Sequence, residues 1–514
     1  MMGMLRLTAP QWLTPSLFVA AILWCAPLAR SQAQPAVAPG STVIVNALVA
    51  DGTGTPLKKV SVRIGGDRIT RVGEFEPRQG ERVVDAKGLV LAPGFIDIHN
   101  HSAEGLETDP LAESQIAQGI TTVILGPDGF SPWPIGAWLA ERRQNPASLN
   151  LAVMVGHATV RELVMGKDYQ RTATPAETQR MAQLVDQGMR EGAIGLSSGL
   201  EYDVASYSAT GEVVATAAAA ARAGGFYMTH IRDESDRSFA ALDEEIAIGR
   251  RAHIPVEHSH IKLGTVGVWG KAAEYVRVID AARSGGLDFL ADCYPYDAWH
   301  SNIKVLVPDK QYENDASVTR ALADVGGAGH VTITDFSPHP AYAQQTLEEL
   351  AQAQGITPVA MFVRIIREGD AASTEANVNV QSMSEADIKT FYRQPWVMVA
   401  SDGGIGGKHP RGAGTFPRVL GRFVREKHWL TLPEAIRKMT SLPAQRLGWK
   451  DRGTIRESAF ADLVLFDPTT VIDRATFAEP GRLATGIETV FVNGIPVWNG
   501  GRATDQRPGR VLPR

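Results

Sequence analysis

Cysteine is almost absent from this chain: there are two in 514 residues, and one of them, Cys25, sits in the first apolar segment. A disulfide scaffold is thereby excluded, and the fold has to rest on its core. Aromatic residues are few, at 7%, and charged residues amount to 21% with a formal net charge of −5. Basic runs are missing, so nothing in the charge pattern calls for nucleic acid as a partner. Outside the N-terminus no stretch approaches the roughly 18 uninterrupted apolar residues of a membrane span. What the chain has instead is 50 Gly, 30 Pro and 44% hydrophobic residues, the profile of a globular chain with many tight loops.

The first segment reads as a secretory signal peptide, residues 1–33. Arg6 is the only early charge, Ser16 to Ala26 forms a short apolar region, and Ser31-Gln32-Ala33 offers small residues for cleavage. The apolar run is too short to span a bilayer, so no stable membrane insertion is expected after cleavage. Loss of Arg6 and Arg30 takes the net charge from −5 to −7 and leaves Cys293 as the single thiol. The expected location is periplasmic or secreted. There, without cytosolic ATP or NADPH, hydrolysis is the favoured chemistry.

Short β-branched runs alternate with Gly and Asp over 42–84, and the style returns near the C-terminus in ADLVLFDP and ETVFVNGIPVWNGG. Both ends, 41–92 and 448–505, are expected to fold together as a small β-sandwich domain. Between them, 93–447, eight short apolar strands each end in polar residues and lead into a helix-like stretch: GFIDIHNH, TTVILGPD, LAVMVGHA, IGLSSGLEY, GFYMTHIRDE, PVEHSHIKL, DFLADCYPYD and WVMVASDGG. This series predicts an α/β fold, a (β/α)8 TIM-like barrel with its site at the C-terminal ends of the strands. About a hundred residues, 297–395, precede the last strand. They read as an insertion over the barrel mouth, either a lid or a surface subdomain.

Titratable residues crowd the strand ends. Asp97, His99 and His101 alternate onto one strand face, and two imidazoles there can grip one divalent ion. His230 and His260 end two further strands and are placed to converge on the same mouth. His258 is expected to lie one layer deeper as interior packing, and His157 either binds substrate or braces a loop. Asp402 closes the last strand; a carboxylate beside a metal can take a proton from water and pass it to a leaving amine.

With GFIDIHNH, QGITTVILG, GAIGLSSGLEY, THIRDE, SHIKLG, DCYPYDA, ASDGG and HPRGAGTFPRVLG, the chain resembles the amidohydrolase superfamily. Within it, the chain is similar to the N-acyl-D-amino-acid deacylases, or D-aminoacylases. The resemblance implies zinc, one or two ions per chain, with His230 and His260 as tight ligands. His99, His101 and Asp402 would form the second position, and Asp402 would be general base and acid. Relatives carry a cysteine where this chain has Asp128 in Gly126-Pro127-Asp128-Gly129, so Asp128 is expected either as an oxygen ligand or as a turn residue only. Ser102 replaces an aspartate of relatives. Lys262 is cast as partner of the substrate α-carboxylate. Tyr202, Tyr294, Tyr296, His409 and Arg411 are further candidates to hold it and shape the pocket. Arg232, Asp233 and Glu234 are expected to form one charge network. The activity implied is removal of the acyl group from a small N-acyl-D-amino acid. The alternatives are a dipeptidase or cyclic-amide hydrolase on the same scaffold, or an inactive exported binding protein.

Overall fold

The computed structural model describes residues 40–513; the expected signal peptide lies outside them. Eight parallel strands form the centre: β1 (Phe95–Asp97), β2 (Ile120–Leu125), β3 (Asn150–Val153, resuming at Val155–Gly156), β4 (Gly195–Gly199), β5 (Phe226–His230), β6 (Val256–His258), β7 (Phe289–Cys293) and β8 (Val397–Val399). Each pairs in parallel with the next. The ring closes between β8 and β1 just beyond the strand ends. There the Asp402 N–H donates to the His99 carbonyl at 3.0 Å and the His101 N–H to that of Gly403 at 2.8 Å. Asp97 reinforces this seam: it accepts from the Ser401 N–H at 2.8 Å and hydroxyl at 2.5 Å, and from Asn100 Nδ2 at 2.8 Å. It therefore holds the barrel shut and is engaged by the protein.

Helices cover the barrel as their apolar spacing dictates. Pro175–Glu191 starts with a Thr174/Glu177 capping box and ends at Gly192, whose φ is +119°. It buries Met181, Leu184, Val185, Gly188 and Met189, one stripe at helical period.

The terminal segments build one nine-stranded sheet, in which Val90–Pro93 pairs antiparallel with Leu463–Phe466. Alternation along these strands serves two cores. Leu91, Leu463 and Leu465 join Ile44, Val62 and Phe491 inside the sheet domain. Val90, Ala92, Val464 and Phe466 pack on the barrel. The last residues return to the barrel: the Leu151 N–H donates to the Arg510 carbonyl at 2.9 Å, and the Leu512 N–H to that of Leu151 at 2.8 Å.

The segment after β7 folds around its own core. Trp299–Asn302, Val331–Asp335 and Asn377–Val380 form an antiparallel sheet, packed by helices Asp315–Asp324, Leu347–Ala353 and Pro358–Ala372. This unit is shorter than 297–395. The next helix, Glu385–Tyr392, inserts Ile388, Phe391 and Tyr392 into the barrel core. Among the described residues no helix is long and apolar enough to cross a membrane.

Candidate metal centre

The loops after the strands bring His99, His101, Asp128, His230, His260 and Asp402 to one place at the barrel mouth. His99, His101, Asp128 and Asp402 form one cluster and Asp128, His230 and His260 another, with ligand atoms within 4.8 Å of one another in each. Asp128 belongs to both. Its Oδ2 lies 3.3 Å from His99 Nε2, 3.4 Å from His101 Nε2 and 3.6 Å from His260 Nε2. Asp402 Oδ1 stands 3.3 Å from His99 Nε2 and 3.1 Å from His101 Nε2. His230 Nδ1 is 3.0 Å from His260 Nε2.

Backbone geometry at these positions is unusual. Asp128, His260 and Asp402 take φ values of +53°, +35° and +48°, in the left-handed region that most side chains avoid. The turn just after Asp128 is also pressed against the barrel: a Cβ on Gly156 would meet the Gly129 carbonyl oxygen at 2.3 Å. His260 owes its place to its turn. Glu257 points into the barrel interior beside Asp292, whereas His258 faces the helical layer, its Nδ1 2.6 Å from Glu245 Oε2. Strict alternation would send His260 outward with His258, and the left-handed turn brings it inward. The two histidines therefore do not share a face, although two-residue spacing along an unbroken strand would put them on one.

These donors fit a divalent cation. His99 is fully buried, yet neither ring nitrogen has a hydrogen-bond partner, and Asp128 Oδ1 is likewise buried and unpartnered. Orphaned polar atoms of this kind are expensive in a folded core unless something else satisfies them. Imidazole nitrogen and carboxylate oxygen are the ligand types that zinc and its neighbours accept. The field is strongly anionic. Burial and Lys262 act to lower the His260 pKa, but Glu234, Asp402 and Asp128 outweigh them and lift it to about 9. Burial opposes ionisation of Asp402, yet Arg411, His260 and His99 hold its carboxyl well below the usual range.

A profile of the amidohydrolase family matches residues 82–498. The chain is a member of the amidohydrolase family. The D-aminoacylase of Alcaligenes xylosoxydans xylosoxydans is 35% identical over 501 residues, spanning 93% of this chain and 98% of that protein. The N-acyl-D-aspartate deacylase of the same organism is 34% identical over 509 residues, spanning 94% and 97%. Among solved structures, the N-acyl-D-glutamate deacylase of Bordetella bronchiseptica, complexed with zinc and a phosphonate mimic of the tetrahedral intermediate, superposes with a TM-score of 0.83. It is 32% identical, with 92% of this chain and 99% of that one covered. Within the amidohydrolases this chain thus groups with the D-aminoacylases, as its motifs imply.

The residues expected to hold substrate divide into two sets. A cavity of about 1570 Å³ opens over the centre, lined by Lys262, Tyr202, Tyr294, His409 and Arg411 from the barrel and roofed by residues 299–312 of the inserted unit. Arg411 Nη1 is 2.6 Å from Asp402 Oδ2, and its guanidinium lies over the Tyr294 ring at 4.8 Å. His409 orients it: His409 Nδ1 accepts from the Arg411 N–H at 3.0 Å, while Nε2 donates to the Ala298 carbonyl at 3.1 Å. Burial, then Arg411, keeps this imidazole neutral by pushing its pKa well down. Tyr296 does not reach the cavity. The chain turns at Pro295, and the Tyr296 hydroxyl donates to the Pro410 carbonyl at 3.3 Å while Arg418 covers its ring.

Several acidic residues escape a reading by motif. Glu201 Oε2 accepts from His230 Nε2 at 2.7 Å, which turns Nδ1 towards the centre, where it lies 3.1 Å from the Tyr202 hydroxyl. Glu234 Oε1 accepts from Lys262 Nζ at 2.7 Å and lies 3.1 Å from His260 Nδ1. Lys262 Nζ also lies 2.7 Å from His260 Nδ1, and with its bond to Glu234 its ammonium is engaged by the protein at the cavity wall. Asp292 accepts from the His260 N–H at 2.8 Å through Oδ1 and faces His99 Nδ1 at 3.5 Å through Oδ2. Arg232 and Asp233 do not join Glu234 in one network: Arg232 pairs with Glu244 at 2.7 Å, and Asp233 accepts from the N–H of Ser235 at 2.8 Å. His157 is a brace, held by Glu212 at 3.0 Å. Ser102 accepts from the Ile405 N–H at 3.1 Å and ties two rim loops.

Proposed function

We propose that this amidohydrolase removes the acyl group from N-acyl-D-amino acids, with zinc at the centre and Asp402 as general base and then general acid. One observation carries the reading. Six ligand-type side chains converge at the barrel mouth, and Asp402, pinned by Arg411, faces both the ligand cluster and the cavity. The substrate class is supported by the relatives, a D-aminoacylase and N-acyl-D-aspartate and N-acyl-D-glutamate deacylases. Zinc is supported by the complex of the Bordetella bronchiseptica enzyme.

His99, His101, Asp128, His230, His260 and Asp402 would hold the metal, which when bound would supply Lewis-acid polarisation of the amide carbonyl and increase the acidity of water. The protein does the rest. Asp402, ionised at neutral pH, takes a proton from the attacking water and returns it to the departing amine nitrogen. Arg411, Tyr294 and Lys262, whose Nζ lies 5.9 Å from the Tyr294 ring, line the pocket for the α-carboxylate, with Tyr202 beside His230, so the amide presents one face and only one enantiomer fits. The inserted unit shields the cavity and limits the side chains admitted.

Residues 1–33 direct export on this reading, and the mature protein starts after Ala33. N-terminal sequencing of the protein from a bacterial periplasm tests that directly; an intact Met1 would refute it. For the chemistry, the test is Asp402→Asn. Turnover is lost while metal remains bound through Asp128, His230 and His260. Full activity in that variant would overturn the assignment of Asp402.

A further inference from the structure

The geometry points to Asp128 as a carboxylate bridge between two divalent ions, in a centre that has no sulfur ligand. The proposal rests on the metal-dependent reading above, but its test needs no substrate. Asp128 is the one residue common to the cluster with His99, His101 and Asp402 and the cluster with His230 and His260; His230 also belongs to a further group with Glu201 and Glu234. Its Oδ2 faces His99, His101 and His260, which belong to different clusters, while its Oδ1 is buried with no partner. A monodentate ligand of one ion would leave that second oxygen desolvated and unsatisfied, whereas a bridging carboxylate uses both. The left-handed backbone at Asp128, with φ +53°, is held by a turn packed against β3 and β4, so the carboxylate is aimed by the fold.

Sulfur is absent from the centre. Cys293, the one cysteine among the described residues, is buried with its Sγ against the carbonyls of Ile261 at 3.6 Å and Tyr294 at 3.5 Å. Burial pushes its thiol pKa well up, so it stays protonated. The donor set is thus four imidazoles and two carboxylates. Without thiolate the site loses the soft ligand that favours zinc over cobalt and manganese, and all three should be accepted.

Metal analysis of the purified full chain, dialysed against zinc, cobalt or manganese and then against buffer, should find two ions per chain with each. Asp128→Asn is the informative variant, because asparagine tolerates the left-handed turn and the fold is preserved. It should weaken both positions together, by more than the roughly 10–100-fold that follows loss of an outer hydrogen-bond partner. His101→Ala is the control and should lower the content by one ion only. With cobalt, the wild-type spectrum should lack a sulfur-to-cobalt charge-transfer band and Asp128→Cys should acquire one. One ion per chain in the wild type would overturn the bridge, as would an Asp128→Asn protein that keeps one ion at wild-type affinity. A folded Asp128→Cys protein that binds cobalt without the band would do the same.

Discussion

Arg411 clamps Asp402 from the cavity side: its Nη1 lies 2.6 Å from Asp402 Oδ2, while Oδ1 of the same carboxylate faces His101 at 3.1 Å. Burial alone would raise the Asp402 pKa; Arg411, His260 and His99 reverse that and keep the group ionised. Replacing Arg411 with Lys removes the planar guanidinium that meets Asp402 Oδ2 and weakens that opposition. The Asp402 pKa then rises, so a smaller fraction is ionised at any given acidic pH. The acid limb of the kcat/KM profile should move to higher pH, with a loss on the order of 100-fold at its plateau. A pH–rate series on Arg411→Lys checks both, and an unmoved limb would count against the pairing as the cause.

Glu201 bears on metal affinity. By accepting the Nε2–H of His230 it fixes the tautomer that presents Nδ1. Glu201→Gln should lower zinc affinity by roughly 10–100-fold with little change in circular dichroism. Competition with a chromophoric chelator measures it.

Much of this centre is legible in the sequence because strand ends and histidine spacing are visible there. His230 ends a barrel strand, His99, His101, His260 and Asp402 lie just beyond one, and each arrives at the mouth. The supporting carboxylates are less legible. Glu201, Glu234 and Asp292 occupy no diagnostic spacing, and acidic residues at strand ends and loop starts are common without any such role. His258 and His260 look equivalent in VEHSH because two-residue alternation assumes an unbroken strand, and the left-handed turn at His260 breaks it. Tyr296 misleads for a similar reason, since Pro295 redirects the chain away from the cavity. Helix Glu385–Tyr392 reads as part of the insertion because chain order alone does not show which core receives Phe391 and Tyr392.

At the opposite end of β8, Lys438 is fully buried, its ammonium donating to the carbonyls of Gln394 and of Val397, the latter at 3.0 Å. Burial lowers its pKa from 10.5 to about 8. A depressed folded pKa adds stability that is complete above the unfolded value and is lost as pH falls through the folded one. Wild-type stability should therefore rise relative to Lys438→Met between pH 7.5 and 10.5, by at most about 3 kcal/mol. Thermal denaturation of the two proteins across that window tests the sign; a constant difference would show that the lysine is not desolvated.

The most direct test of the central claim is free-amine release from matched N-acetyl-D- and N-acetyl-L-amino acids. The mature protein would be assayed after metal removal and again after reloading with zinc. Release from the D series alone, restored by zinc, is the predicted result. Equal release from both enantiomers, or undiminished release from the metal-free protein, would contradict it.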